Sequence, residues 1–258
     1  MDLGIAGKRA LVSASSQGLG FGCAQALAKA GVDLVICARS SGPLEQARQA
    51  LEQHGVSVTA VAGDVTTDDG RTAVLDAAGQ VDILVTNAGG PPPGHWSDWE
   101  RTDFISAIDS NMLTPIMLMK ALLPGMIENK WGRVVNITSQ FVKGPSSILG
   151  LSNSARAGLT GYVAGTSRDV AKHGVTINNL LPGLHSTNRS ESLDVAAAEK
   201  ADISVAEAKA ARCETIPAGR YGTVEEFGNT CAFLCSQHAG FIVGQNVLLD
   251  GGYISATI

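Results

Sequence analysis

Short runs of β-branched and apolar residues alternate with longer amphipathic runs along the whole chain. The apolar runs are RALVSA (9–14), VDLVICA (32–38), VSVTAVAG (56–63), VDILVTN (81–87), GRVVNIT (132–138), VTINNLL (175–181) and NVLLD (246–250). Each has the length of a strand, and helical stretches of about a dozen residues or more separate most of them. Strands that follow helix-length crossovers pair in parallel, and right-handed crossovers wind the helices onto both faces. The pattern therefore predicts an α/β fold: a doubly wound parallel sheet of about seven strands. Several runs are apolar on successive residues, as strands covered on both faces must be. No repeat or linker interrupts the rhythm, so residues 1–258 read as one domain, long enough to bury a sizeable core.

Composition narrows the partners. The formal net charge is −5 and there is no basic run, which argues against a nucleic-acid surface. The N-terminal MDLGIAGKRALV lacks the basic and apolar regions of a secretory signal. The most apolar stretch, NMLTPIMLMKALLPGMI, is broken by Lys120 and two prolines, too short to span a bilayer. A cytoplasmic protein is expected. Five cysteines form no CxxC pair; Cys231 and Cys235 share a helix face, but no histidine or carboxylate joins them, so no metal site is expected. Buried thiols in a reducing compartment account for them.

Two segments depart from the rhythm. TNAGGPPPGHW is a Gly/Pro loop at a strand end, and residues 184–215 form an Ala- and charge-rich insertion expected to hold one or two surface helices. Ligands of doubly wound sheets bind beyond the carboxyl ends of the strands, where both segments fall, so the insertion reads as a substrate lid. After the first strand comes SASSQGLGFGCAQALAKAG, with Gly18, Gly20 and Gly22 at the strand-to-helix turn and Gly31 closing the helix. Glycines there let a backbone approach a pyrophosphate, and the helix start offers free N–H groups to the anion.

SASSQGLG resembles the T-G-x-x-x-G-x-G motif of the short-chain dehydrogenase/reductase family, whose fold is Rossmann-type. DV (64–65), NAG (87–89), Asn111, Ser139, PGLHST (182–187) and FLCSQHAGFIVGQNVLLDGG follow in that family's order, across essentially the whole chain. Ser13 and Ala14 replace the usual Thr-Gly. The resemblance implies a dinucleotide held by Ser13, Ser15, Ser16, Gln17, Gly18, Leu19 and Gly20. It places Asp64 and Val65 by the adenine, Asn87, Ala88 and Gly89 along the ribose and diphosphate, and Pro182, Gly183 and Thr187 by the nicotinamide. An acid at the end of the second strand would select NAD; Ala38 stands there, followed by Arg39, Ser40 and Ser41, which favours the 2′-phosphate of NADP(H).

In that family a tyrosine protonates the carbonyl oxygen, and a lysine four residues later holds the ribose and lowers the tyrosine pKa. A serine polarises the carbonyl and an asparagine anchors a relay water; Asn111 and Ser139 match these two. Thirteen residues beyond Ser139, in LGLSNSARAGLTGY, the tyrosine position holds Ser152 and the lysine position holds Arg156. Tyr162 lies roughly 15 Å further along the helix, too far to substitute. Three outcomes are open. Ser139, Ser152 and Arg156 polarise the carbonyl while water or substrate gives the proton; His185, or more weakly His95, serves as acid; or the chain is a cofactor-binding pseudoenzyme that acts through a partner. Halohydrin dehalogenases, which resemble this family, also carry the arginine but keep the tyrosine and lose the glycine loop, the reverse of this chain.

The expected pocket is lined by Gly90 and Pro91–Pro93, by Gln140 and Phe141, and by the Leu184–His185 loop, with Trp96 and Trp99 near it. No cluster of Arg or Lys marks its mouth in the sequence, so an apolar or 3-oxoacyl ketone is the expected substrate, reduced to an alcohol. The resemblance also implies a homo-oligomer, a dimer or tetramer.

Overall fold

The computed structural model describes residues 1–256. Seven parallel strands form one sheet: β1 (Arg9–Val12), β2 (Asp33–Ala38), β3 (Val58–Ala62), β4 (Ile83–Thr86), β5 (Gly132–Ile137), β6 (Val175–Pro182) and β7 (Asn246–Leu249). Their order is β3-β2-β1-β4-β5-β6-β7. All seven expected strands are present, most trimmed at their ends where the chain turns towards a helix, and β6 runs one residue further, to Pro182. The order reverses between β1 and β4, and it is outside this crevice that ligands of such sheets bind.

Helices α1 (Gly18–Lys29), α2 (Ser41–Glu52), α3 (Asp68–Ala78), α4 (Arg101–Ile108), α5 (Thr114–Glu128), α6 (Gly150–Val170), α7 (Asn188–Ala201), α8 (Val205–Glu214) and α9 (Val224–Leu234) connect them. Alternate strand residues face opposite layers, as the period of two requires. Val12, Leu34, Ile36 and Ile83 pack with Leu27 and Phe227 beneath α1 and α9. Leu11, Val35, Leu84 and Val134 pack with Leu118, Met119 and Leu159 beneath α5 and α6. Tyr162 leans on this second layer as a packing residue. The insertion is two helices, α7 and α8, each opened by a capping box, Thr187 with Ser190 and Ser204 with Glu207. Among the described residues no helix is long and apolar enough to cross a membrane, and no group of metal-ligating residues is present.

The position of α1 is fixed by a backbone contact. A Cβ on Gly228 would meet the carbonyl of Gly22, and a Cβ on Gly22 would meet Val224. Small residues thus let α9 cross α1 at close range, and α1 carries the glycine loop. Gly228→Ala is expected to cost about 1–3 kcal/mol, as overpacked sites do; urea denaturation measures it.

Candidate active site

The reversal point is tied together by one hydroxyl. Ser13 Oγ donates to the Asn87 carbonyl at 2.9 Å and accepts from the Asn87 N–H at 2.8 Å. The chain then turns through Ala14, whose φ of +47° lies in the left-handed region. Asn87 Nδ2 donates to the Ala14 carbonyl at 3.0 Å. A Cβ on Gly20 would collide with that same carbonyl, so only glycine lets the helix start beneath the turn. Ser15 shapes the turn through both its polar groups: its hydroxyl donates to Val12 and its N–H to Cys37. Ser16, Gly18 and Leu19 are half-buried along the loop, and Gln17 is exposed. Gln17, at the start of α1, makes no side-chain cap, so the first N–H groups are left without one. This cradle fits a diphosphate.

At the adenine side, Asp64 accepts from the N–H and hydroxyl of Thr66 at 3.0 and 2.8 Å. These bonds hold its carboxyl below the usual range, despite some burial, and the charge of Arg39 adds to the effect. Val65 is half-buried beside it, and Arg39 is exposed at the end of β2. Pro182 ends β6, and the Gly183 N–H bonds to Leu249 at 2.7 Å. The Thr187 hydroxyl caps α7, and its methyl group lies over Gly18.

Asn111, Ser139, Ser152 and Arg156 gather at the ends of β4 and β5. Asn111 lies in a π-turn, Asp109–Leu113, between α4 and α5, where the Thr114 hydroxyl reaches back to the Asp109 carbonyl. Such turns recur at functional sites. The turn buries Asn111; its Nδ2 donates to Ser110 at 2.8 Å and its Oδ1 has no partner among the described residues. Ser139 caps the short helix Gln140–Val142. Arg156 Nη1 donates to the carbonyls of Ile137 and Thr138, both at 2.9 Å, and its Nε donates to Ser152 Oγ at 3.2 Å. Thr86, Asn87, Ala88, Asn111, Pro115, Ile137 and Arg156 line one narrow recess. Burial pushes the Arg156 guanidinium down to about 10, with the like charge of Arg189 adding to the shift. Trp99 packs on Gly150 and so seats the first turn of α6.

The family model described as enoyl-(acyl carrier protein) reductase matches residues 13–254. The chain belongs to the short-chain dehydrogenase/reductase family. It is 31% identical to gluconate 5-dehydrogenase of Gluconobacter oxydans, over 96% of this chain and 95% of that one. It is 32% identical to the 3-oxoacyl-[acyl-carrier-protein] reductase FabG of Vibrio cholerae, over 97% and 98% of the two chains. The L-sorbose reductase of Gluconobacter frateurii, solved with NADPH and L-sorbose, superposes with a TM-score of 0.95 at 28% identity, covering 99% and 100% of the chains. The reductase YwfH gives 0.91 at 27% identity, covering 96% and 99%.

Of the other groups that could stand in for the family's tyrosine, His185 and Tyr221 are engaged, whereas His95 and Tyr253 are exposed. His185 is 6% exposed, bonds to the Gly183 carbonyl at 3.1 Å and packs edge-on against Phe227. Burial pushes its imidazole down, which favours the neutral ring over an acid. His95 is exposed and bonds to Ser97. Tyr221 donates to Asp194 at 2.7 Å, and burial with that bond pushes its phenol up to about 12. Tyr253 packs edge-on against Phe141.

Sequence reasoning missed Arg189. It lies in the first turn of α7 and donates from Nη1 to the Gly90 carbonyl at 3.3 Å. Beside it Asn188 bonds to Gln17. The mouth that read as free of basic clustering thus has two guanidinium groups near it. No local pattern announced this, because Arg189 sits in a stretch of mixed charge and reaches the site only through the fold.

A left-handed alanine costs roughly 1–2 kcal/mol, and glycine gives back part of that as chain entropy. Ala14→Gly, the family's usual residue, is therefore expected to raise stability by about 0.5–1 kcal/mol, read as a shift in the urea midpoint.

Proposed function

We propose that the chain is an NADP(H)-dependent carbonyl reductase that works without the family's tyrosine. The observation that carries this reading is the buried Arg156, held by two main-chain carbonyls and bonded to Ser152 beside the recess. The uncapped start of α1 and the Gly20 cradle would hold the diphosphate. Asp64 and Val65 would face the adenine, and Arg39 the 2′-phosphate. Thr187 would face the nicotinamide amide. When bound, NADPH supplies a hydride. The known relatives support this cofactor, since the sorbose reductase was solved with NADPH.

The chain's own residues then manage the oxygen. Because Ser152 Oγ accepts from Arg156, its own proton is free to point at a carbonyl oxygen. Ser139 offers a second hydroxyl. As the carbonyl π pair moves onto oxygen, the fixed charge of Arg156 stabilises the growing alkoxide without giving up a proton. Water completes the alcohol by protonating that oxygen, and Asn111 is the residue that would anchor it. Loss of a positioned general acid costs ~10²–10⁴ in rate, so slow turnover is expected. Helices α7 and α8 act as the lid. Exposed Ile105 and Leu113, in α4 and the π-turn, support a homo-oligomer, a dimer or tetramer, which light scattering tests.

The deciding assay follows NADPH absorbance with a panel of ketones, 3-oxoacyl thioesters and quinones. Ser139→Ala and Arg156→Met are each expected to lower kcat/KM by ~10²–10³, the size of one lost oxyanion donor, with Arg156→Lys keeping part of it. Tight NADPH binding with no turnover across the panel would sink the reductase reading in favour of a cofactor-binding protein. The rate is also expected to stay flat from about pH 6 to 9, because the stabilising cation loses its proton only near 10. A kcat profile that bends near neutrality would point to a titrating acid instead.

A further inference from the structure

Helix α7 begins on the cofactor groove. The Thr187 methyl group lies over Gly18, Asn188 Nδ2 donates to Gln17 Oε1 at 3.2 Å, and Arg189 Nη1 donates to the Gly90 carbonyl at 3.3 Å. Gln17 and Gly18 belong to the glycine loop and Gly90 follows β4, so three consecutive residues touch both rims of the groove. Asn188 and Arg189 are exposed, so water competes for their two bonds and these hold the turn weakly. The firmer hold lies further along the helix.

Apolar burial does not supply it. The buried face of α7 is Ser190, Asp194 and Ala198, spaced by four, and that of α8 is Ala208. Leu193, Val195 and Val205 are exposed. A stripe of serine, aspartate and alanine removes little apolar area from water, so polar contacts must place the helix. Asp194 is 1% exposed, and its Oδ1 accepts from the Tyr221 hydroxyl at 2.7 Å and from Arg212 Nη1 at 2.8 Å. A carboxylate buried this far is tolerated because such donors meet it. Arg212 brings in α8. Tyr221 is the fixed end: it is buried, and the next residue, Gly222, donates to the Leu184 carbonyl at 3.0 Å and accepts from the Ser186 N–H at 2.9 Å. Thr223 then caps α9, whose Gly228 lies against the α1 backbone. The path from the core to the first turn of α7 therefore runs through one carboxylate.

We propose that Asp194 is a positioning residue for the dinucleotide: its bonds to Tyr221 and Arg212 hold α7 so that Thr187, Asn188 and Arg189 strap the groove, and this node sets how fast the dinucleotide leaves. The inference rests on the NADP(H) groove and not on the reductase chemistry.

The test is stopped-flow release of NADPH, followed by nicotinamide fluorescence as excess NADP+ displaces it. Tyr221→Phe removes one hydroxyl and keeps the ring, and Asp194→Asn removes the charge. Each is expected to release NADPH about ten-fold faster or more, the size of one hydrogen bond to a charged group, with faster amide hydrogen exchange in α7 and α8. Leu51→Val is the control, a buried change in the last turn of α2, at the opposite end of the strands from the groove. It is expected to lower the urea midpoint and leave release within two-fold. Release within two-fold of the native rate in Tyr221→Phe overturns the proposal, whether or not Asp194→Asn folds. So does equal acceleration by Leu51→Val, which would mark a general loss of stability. A native protein that does not bind NADPH would overturn it together with the cofactor. Release that responds as expected in a protein that reduces no ketone would sink the reductase reading and leave the node standing.

Discussion

The hydrogen bonds of Arg156 hold the active site in register. A buried guanidinium loses several kcal/mol of hydration, and the cost is tolerated only where its donors are met. Here Nη1 meets two carbonyls at the carboxyl end of β5, and Nε meets Ser152 one turn back on the same helix. These bonds fasten α6 to the strand whose end leads into Ser139. Apart from them the helix is held by the Asn153 amide on the Ser146 carbonyl and by apolar contacts through Leu159 and Val163. The guanidinium thus aligns Ser152, Thr138 and the recess as one unit.

The cofactor side depends on a different constraint, the absence of side chains. Gly20 sits against the Ala14 carbonyl, and Gly22 and Gly228 bring two helices into backbone contact. Ala14 breaks this logic, because it takes a left-handed φ that glycine adopts freely. The turn survives because both its ends are held, by the Ser13–Asn87 pair and by the Asn87 amide on the Ala14 carbonyl. Strain at one residue is carried by three hydrogen bonds around it.

How much of this could be read from the chain follows from range. The strands were legible because each apolar run reports its own burial on both faces, and the glycine loop because its spacing is local. The π-turn was not, since it depends on a Thr114–Asp109 contact and on what packs around Asn111. Nor was the environment of His185: its place in the loop suggested an acid or a pocket-lining residue, but Phe227, 42 residues later, captures the ring. Arg189 was invisible for the same reason, because its partner Gly90 is 99 residues away. Sequence reading recovered the strand and helix pattern. It missed the contacts that the fold alone creates.

If Ser152 and Arg156 stand for the family's tyrosine and lysine, as proposed, the two exchanges act as one change. Arginine is longer than lysine and planar, so its Nη1 reaches the Ile137 and Thr138 carbonyls while its Nε still faces its own helix. The partner four residues earlier must then carry its hydroxyl close to the backbone, as serine does. A tyrosine ring would carry the hydroxyl out of reach of Nε. Lysine, with one nitrogen, could not make the same three bonds in a plane. Under the proposed function the pair exchanges a proton relay for a fixed, hydrogen-bonded charge. On that reading the site works by fixed charge, which stabilises a growing alkoxide at any pH where the guanidinium keeps its proton.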